Sequence, residues 1–181
     1  MANSYSYQVI KDDTQYCVIK LTGSFDGTGQ EENLARIQAN TLYGALNANT
    51  PPGLLSQGGS PLPYYGLTVN RIWYDSDTYA GDVQMYWRAN NSVNAAVDSG
   101  VPLFFLQGNG EFDAAGNWAS IHNPNVTANT NGDISIKTRG YEANTSYTLI
   151  VELRKQNEYY QRGQFNDPAA FNYPPYGLTP N

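Results

Sequence analysis

The sequence predicts an all-β chain folded as a two-sheet antiparallel β-sandwich, of jelly-roll or immunoglobulin-like type, with long loops and an extended C-terminal arm. Three observations predict it. Apolar and polar residues alternate with period two in segment after segment, the pattern of strands with one buried face. Clusters of Gly, Asn, Asp and Pro punctuate those segments. No convincing amphipathic helix interrupts them, and eight or so short strands joined by turn chemistry are the signature of two packed sheets. A chain of 181 residues buries roughly 70% of its unfolded surface, so a single core needs neither a metal nor a disulfide to fold.

The elements follow in order. Tyr5, Tyr7 and Val9 alternate with Ser4, Ser6 and Gln8, a second alternating run covers Tyr16 to Phe25, and Lys11-Asp12-Asp13-Thr14 joins the two as a hairpin. Gly23 to Gly29 is rich in turn residues. Over Glu31 to Leu46, Leu34 and Ile37 suit a helix while Ala35, Ile37, Ala39 and Thr41 suit a strand, and the segment reads as mostly extended. Asn47 to Tyr65 carries too many prolines and glycines for a central strand and reads as a long surface loop. Leu67 to Tyr74 and Asp82 to Arg88 then alternate on either side of the turn Asp75 to Gly81, which predicts a second hairpin with Trp73 and Trp87 as apolar anchors. Val101 to Leu106 is apolar on both faces and reads as a central strand. Gly108 to Gly132 is mostly Asn, Gly, Ala and Thr, and Ile134 to Thr138 and Tyr147 to Leu153 supply the last two strands. The expected core, over about residues 5 to 155, includes Val18, Leu21, Ile72, Val83, Met85, Phe105, Ile136, Leu149 and Val151.

The chain divides at residue 156 into a sandwich domain, 1–156, and an arm, 157–181. The arm carries six aromatics, Tyr159, Tyr160, Phe165, Phe171, Tyr173 and Tyr176, and four prolines, including the pair Pro174-Pro175. Prolines favour extended geometry, but a solvated disordered tail is poor in aromatics. The combination points to an arm laid on a surface, its own domain's or a neighbour's, and the neighbour is favoured. Tyr159, Tyr160, Phe165, Phe171, Tyr173, Pro174, Pro175 and Tyr176 are the candidate partner-contact residues.

Composition excludes several function classes. Charged residues make up 14% of the chain, against about 25% in an average soluble protein. With 10 basic and 16 acidic residues the net charge is −6, the wrong sign for gripping a nucleic acid through its phosphates. Arg154-Lys155 is the only adjacent basic pair. The N-terminus lacks the basic segment and apolar run of a signal peptide, which predicts synthesis and assembly in a cytoplasm. The longest apolar run, Val101 to Leu106, is far too short to span a bilayer, so a soluble chain with no membrane partner is expected.

Catalytic constellations are missing too. Cys17 is the only cysteine and lies in an apolar stretch, which predicts a buried core thiol. His122 is the only histidine, in the polar stretch Ser120 to Pro124, with no nucleophile elbow to complete a triad. Asp26 to Glu32 and Asp75 to Asp82 place carboxylates in Gly-containing loops that could ligate calcium, yet neither has EF-hand spacing, and turns closed by Asx hydrogen bonds are favoured. Glu111, Asp113 and Glu152 are candidates for the paired carboxylates of sugar hydrolysis, but nothing in the sequence brings them together. No cofactor, no metal and no enzymatic activity are expected.

Five segments in order, Leu21 to Gly29, Leu67 to Tyr74, Asp82 to Trp87, Gly132 to Thr138 and Ser146 to Lys155, resemble a family of small virion structural proteins of tailed phages of marine bacteria and cyanobacteria. The resemblance spans roughly residues 18 to 155, and the Pro-rich loop and the arm depart from it. It implies a non-enzymatic particle component, present in multiple copies or as a homo-oligomer, assembled in the bacterial host cytoplasm and incorporated into the virion. Capsid decoration is the favoured role, with the major capsid protein or another virion protein as partner, since weak contacts suffice when many act together and an acidic chain suits the outside of a DNA-filled shell. A neck or tail component is the alternative within that class. A carbohydrate-binding sandwich, with Trp73, Trp87 or Trp118 coplanar on an open face, is the alternative outside it.

Overall fold

The computed structural model describes residues 3–27, 33–45, 56–57, 60–61, 67–77, 81–89, 100–114, 121–122 and 130–155. Twelve strands run through them: β1 (Ser4–Asp12), β2 (Tyr16–Phe25), β3 (Asn33–Ile37), β4 (Ser56–Gln57), β5 (Ser60–Pro61), β6 (Leu67–Ser76), β7 (Asp82–Ala89), β8 (Gly100–Leu106), β9 (Asn109–Asp113), β10 (Ile121–His122), β11 (Thr130–Arg139) and β12 (Thr145–Lys155). A single 3₁₀ turn, Ala39–Thr41, follows β3, and no α-helix occurs among the described residues.

Two antiparallel sheets form the fold. The larger has the order β1-β2-β12-β6-β10, with β9 also on β6, and the smaller has the order β3-β11-β7-β8. β4 and β5 pair only with each other. Their inward side chains merge into one core cluster that draws Ile19, Leu21, Ile72, Leu149 and Val151 from the larger sheet and Val83, Met85, Trp87, Ile134 and Ile136 from the smaller. The predicted all-β, two-sheet antiparallel architecture is what the chain adopts.

The ladder between β2 and β12 is the spine of the larger sheet. It pairs ten residues without a register break, from Thr145 opposite Phe25 to Arg154 opposite Tyr16. Directly opposed residues in an antiparallel pair point to the same face, so Cys17, Ile19 and Leu21 meet Leu153, Val151 and Leu149 on the inner face. Gly23 lies opposite Tyr147, and a Cβ there would stand 2.3 Å from a ring carbon of Tyr147. The ring uses the space that a side chain would take. Tyr147 joins Phe25 and Tyr141 in an aromatic cluster at that end of the core, with Phe25 and Tyr141 centroids 4.5 Å apart.

Several expectations need correcting. β6 and β7 do not form a hairpin: β6 pairs with β12, β9 and β10, while β7 pairs with β11 and β8 in the other sheet. Their alternation places each strand's faces but says nothing about its partner, and the backbone bonds from Ser76 to Gly108 and Asp77 to Ser146 hold the chain in the larger sheet past the end of β6. β8 ends the order of the smaller sheet and is not central. Phe105 is accordingly 59% exposed, and Leu106 takes the core position expected of it. Val18 is half-buried, because the inward set of β2 is Cys17, Ile19, Leu21, Gly23 and Phe25. The other expected core residues are buried, as is the Cys17 side chain.

Short strands also arise where turn-rich composition pointed to loop. β9 and β10 lie within Gly108 to Gly132 and extend the larger sheet beyond β6, β9 against Arg71 to Asp75 and β10 against Thr68 and Val69. Within Glu31 to Leu46 the described residues hold β3 and then the 3₁₀ turn, so the extended reading holds for Asn33–Ile37. Trp87 is a core anchor, while Trp73 is half-buried on the outer face of β6.

Candidate functional site

The feature that stands out is a strip on β1. Tyr5, Tyr7 and Val9 lie opposite Gly23, Leu21 and Ile19, so they face inward with those residues. Leu21 and Ile19 are fully buried, yet Tyr7 and Val9 are 42% and 45% exposed. β1 therefore overhangs the smaller sheet. Ile10 is the extra residue of a β-bulge, since Val9 pairs with Ile19 and Lys11 with Val18, and it is 53% exposed. Among the described residues β1 has a strand on one side only.

Both ends of the strip are closed by cations. At the Tyr5 end, Arg36 reaches up from β3 and donates to the carbonyl oxygen of Ser6, with its guanidinium carbon 5.6 Å from the Tyr5 ring centroid. Tyr5 is half-buried as a result and packs edge-on against Phe25. At the other end, Lys155 is fully buried and donates to the Asp12 carboxylate, to the Asp13 carbonyl at 2.6 Å and to the Tyr43 carbonyl at 2.8 Å. Its backbone N–H donates to the Gln15 carbonyl at 2.7 Å. The second Asp12 oxygen accepts the Tyr43 N–H at 2.8 Å. Three acceptors saturate the ammonium, which is what a buried amine requires. Tyr7 to Ile10 is the open stretch between the two clamps.

Electrostatics at the hairpin follow from its turn. Asp13 accepts the N–H groups of Gln15 and Tyr16 at 2.8 and 2.7 Å and pairs with Lys11 at 2.8 Å. The Lys11 ammonium first, and then those two backbone donors, hold its carboxyl down at about 2. Partial burial raises the Tyr7 phenol, with Cys17 and Asp12 adding to the effect. Burial pushes the Cys17 thiol up to about 12, so it is held as an unreactive thiol.

Tyr159, Tyr160, Phe165, Phe171, Tyr173, Pro174, Pro175 and Tyr176, with the whole arm, lie outside the described residues, as do Trp118 and most of the Pro-rich loop. What the structure describes is the root of the arm. Residue 155 is pinned to the β1–β2 turn, so the arm departs from a fixed point. The Lys155 clamp escaped the sequence reading although a signal existed: Tyr147, Leu149, Val151, Leu153 and Lys155 share one parity, and a lysine in an inward position calls for a buried anion.

The other candidates disperse. His122 sits on β10, paired with β6 rather than in a free loop, and its Nδ1 lies 2.8 Å from the Thr68 hydroxyl. Arg71 stands between Glu152 on β12 and Asp113 on β9, bonding Asp113 at 3.0 Å on the outer face of the larger sheet. The two carboxylates share a row, but a full strand separates them, about 10 Å. Trp73 and Trp87 belong to different sheets and Trp87 is buried, so they form no sugar-stacking platform. Asp77 accepts from the Ser146 hydroxyl, a bond that ties the end of β6 to β12. Among the described residues no three His, Cys, Asp or Glu side chains gather closely enough to hold a metal ion, and no helix is long and apolar enough to cross a membrane. No protein-family model matches the chain, and neither a curated protein nor a solved structure matches it.

Proposed function

We propose that this chain is a structural protein of a tailed-phage virion that decorates the outer capsid surface and stabilises contacts between capsid subunits. The observation that carries the reading is the β1 strip: among the described residues, Tyr7 to Ile10 form an uncharged sheet edge with exposed apolar side chains, beside the fixed root of an aromatic arm. Such an edge suits a protein that works by lying against its neighbours. The resemblance of five segments to virion structural proteins supports the same reading, and those segments contribute to β2, β6, β7, β11 and β12, the strands of the core. The net charge of −6 favours the outside of the shell over contact with packaged DNA.

Deletion after Gln156 is the test. The truncated chain is expected to keep its β-sheet circular-dichroism spectrum and to lose binding to capsids by at least about tenfold, roughly 1.4 kcal/mol. If it unfolds while the intact protein is a stable monomer, the arm packs on its own domain and the strapping role is wrong. Density for the protein at the neck or tail in a particle reconstruction would move it off the head shell.

A further inference from the structure

An exposed apolar sheet edge is a template for another chain, and natural sandwiches blunt such edges with charge, proline, bulges or a covering segment. β1 uses one of these devices in part. Its bulge at Ile10 ends the regular edge at Val9, but Ser4 to Val9 contains no charge and no proline and stays in register with β2 throughout. Within the single chain Tyr7, Val9 and Ile10 remain exposed. Among the described residues nothing covers them, so a cover would be a segment outside those residues or another chain.

The chain itself carries a segment of suitable chemistry. Gln156 to Asp167 is free of proline, the first proline after β12 being Pro168. That stretch can donate backbone hydrogen bonds at every residue, unlike the remainder of the arm. Extended, residues 157–167 span roughly 36 Å, against about 20 Å for Ser4 to Val9. Period two places Tyr159 and Phe165 on one face of such a strand and Tyr160 and Arg162 on the other. Direction favours a neighbour's β1 over the arm's own. β12 is antiparallel to β2 and β2 to β1, so β12 runs parallel to β1 and ends beside Asp12. An arm that kept this direction would pass the end of the strip heading away from Ser4, and only a reversal would bring it back along its own β1.

We infer that residues 157–167 of one copy lie along the β1 edge of a neighbouring copy, pairing with its backbone between Tyr7 and Ile10 and turning toward Tyr7 and Val9 the face that carries Tyr159 and Phe165, so that one of these two rings covers them. This rests on the arm being a contact element, as proposed above, and it names what the arm contacts. The interface is heterologous: each copy offers an arm to one neighbour and an edge to another, so copies join head to tail, as a ring or as a network over a surface. Main-chain bonds supply much of the adhesion and the alternate aromatics supply selectivity. Ser4 to Val9 carries no charge, and Glu158, Arg162 and Asp167 give residues 157–167 a net charge of only −1, so two acidic chains can approach there.

The experiment uses purified full-length protein and sedimentation equilibrium. Val9→Arg spoils the edge at an exposed position, and Tyr159→Ser/Phe165→Ser spoils the arm; unchanged thermal midpoints check that both variants fold. Each variant alone is expected to self-associate at least about tenfold more weakly than the unaltered protein. An equimolar mixture is expected to recover a dimer, because one intact arm meets one intact edge. Dissociation by Val9→Arg with no effect of the arm variant would overturn the inference in favour of edge-to-edge pairing. A mixture that stays dissociated, or an unaltered protein that is monomeric at every concentration, would overturn it as well. Capsid binding measured in parallel separates the two readings: monomers that bind capsids sink only this inference, and self-association without capsid binding sinks only the virion role.

Discussion

β1 and β12 flank the same strand, β2, and both alternate inward and outward side chains, yet they end in opposite environments. Every inward residue of β12 from Tyr147 to Lys155 is buried, whereas on β1 Tyr5 is half-buried and Tyr7 and Val9 are exposed. Hydrophobic content does not explain the difference. The smaller sheet packs beneath β2 and β12 and leaves Tyr7 and Val9 of β1 uncovered, while Arg36 reaches β1 near Tyr5. Alternation thus sets the direction of a side chain, and the second layer decides whether that direction is buried.

The largest expected effect comes from cutting the ion pair between the ends of the two strands. Lys155→Met leaves the Asp12 carboxylate, only 18% exposed, without its cation. Stranding a buried charge costs about 3–5 kcal/mol, which chemical denaturation would read as a lowered midpoint. An unchanged midpoint would mean that the clamp contributes nothing beyond the turn. Next is the contrast itself: Leu149→Ala on β12 should cost about 2–5 kcal/mol through lost burial and a cavity, and Val9→Ala on β1 no more than about 0.5 kcal/mol. Equal losses at the two positions would show that β1 is covered in the folded chain and would erase the distinction.

The smallest effect concerns the turn that begins at the end of β1. The Asp13 carboxyl is held down to about 2 by Lys11 and by the Gln15 and Tyr16 donors, so its contribution is fully present above the ordinary carboxylate pKa of about 4. It is lost as the pH falls through about 2. The Gln15 and Tyr16 amide resonances should shift with a midpoint near that lower value, and Asp13→Asn should abolish the transition. A midpoint near 4 would show that the turn bonds do not form in solution.

Much of this was legible in the sequence because it is local. Tyr16 to Phe25 and Tyr147 to Leu153 read as strands from their period alone, the β1–β2 turn from Asp12-Asp13, and the buried thiol from the neighbours of Cys17. Parity is legible only where polar residues mark one face. In Tyr16-Cys17-Val18-Ile19 both faces are apolar, so the sequence does not show that Cys17 and Ile19, and not Val18, are the inward residues. Phe105 failed for the same reason, since Val101 to Leu106 is apolar throughout and edge and centre look alike from within one strand.

What the tertiary structure alone decided are the relations between distant segments: that β6 and β7 lie in different sheets, that β9 and β10 extend β6, that Lys155 meets Asp12 across 143 residues of chain, and that one strand overhangs its sandwich. A strand's period is set by its own backbone, so alternation alone marks the long strands and the direction of most of their side chains, whereas short strands such as β9 and β10 hold too few residues to show it. A strand's partner is chosen by free energy shared with residues far along the chain, through backbone groups common to every sequence and through layers whose widths depend on all the strands at once. The exposed edge of β1 is a property of that arrangement, which is why only the fold reveals it.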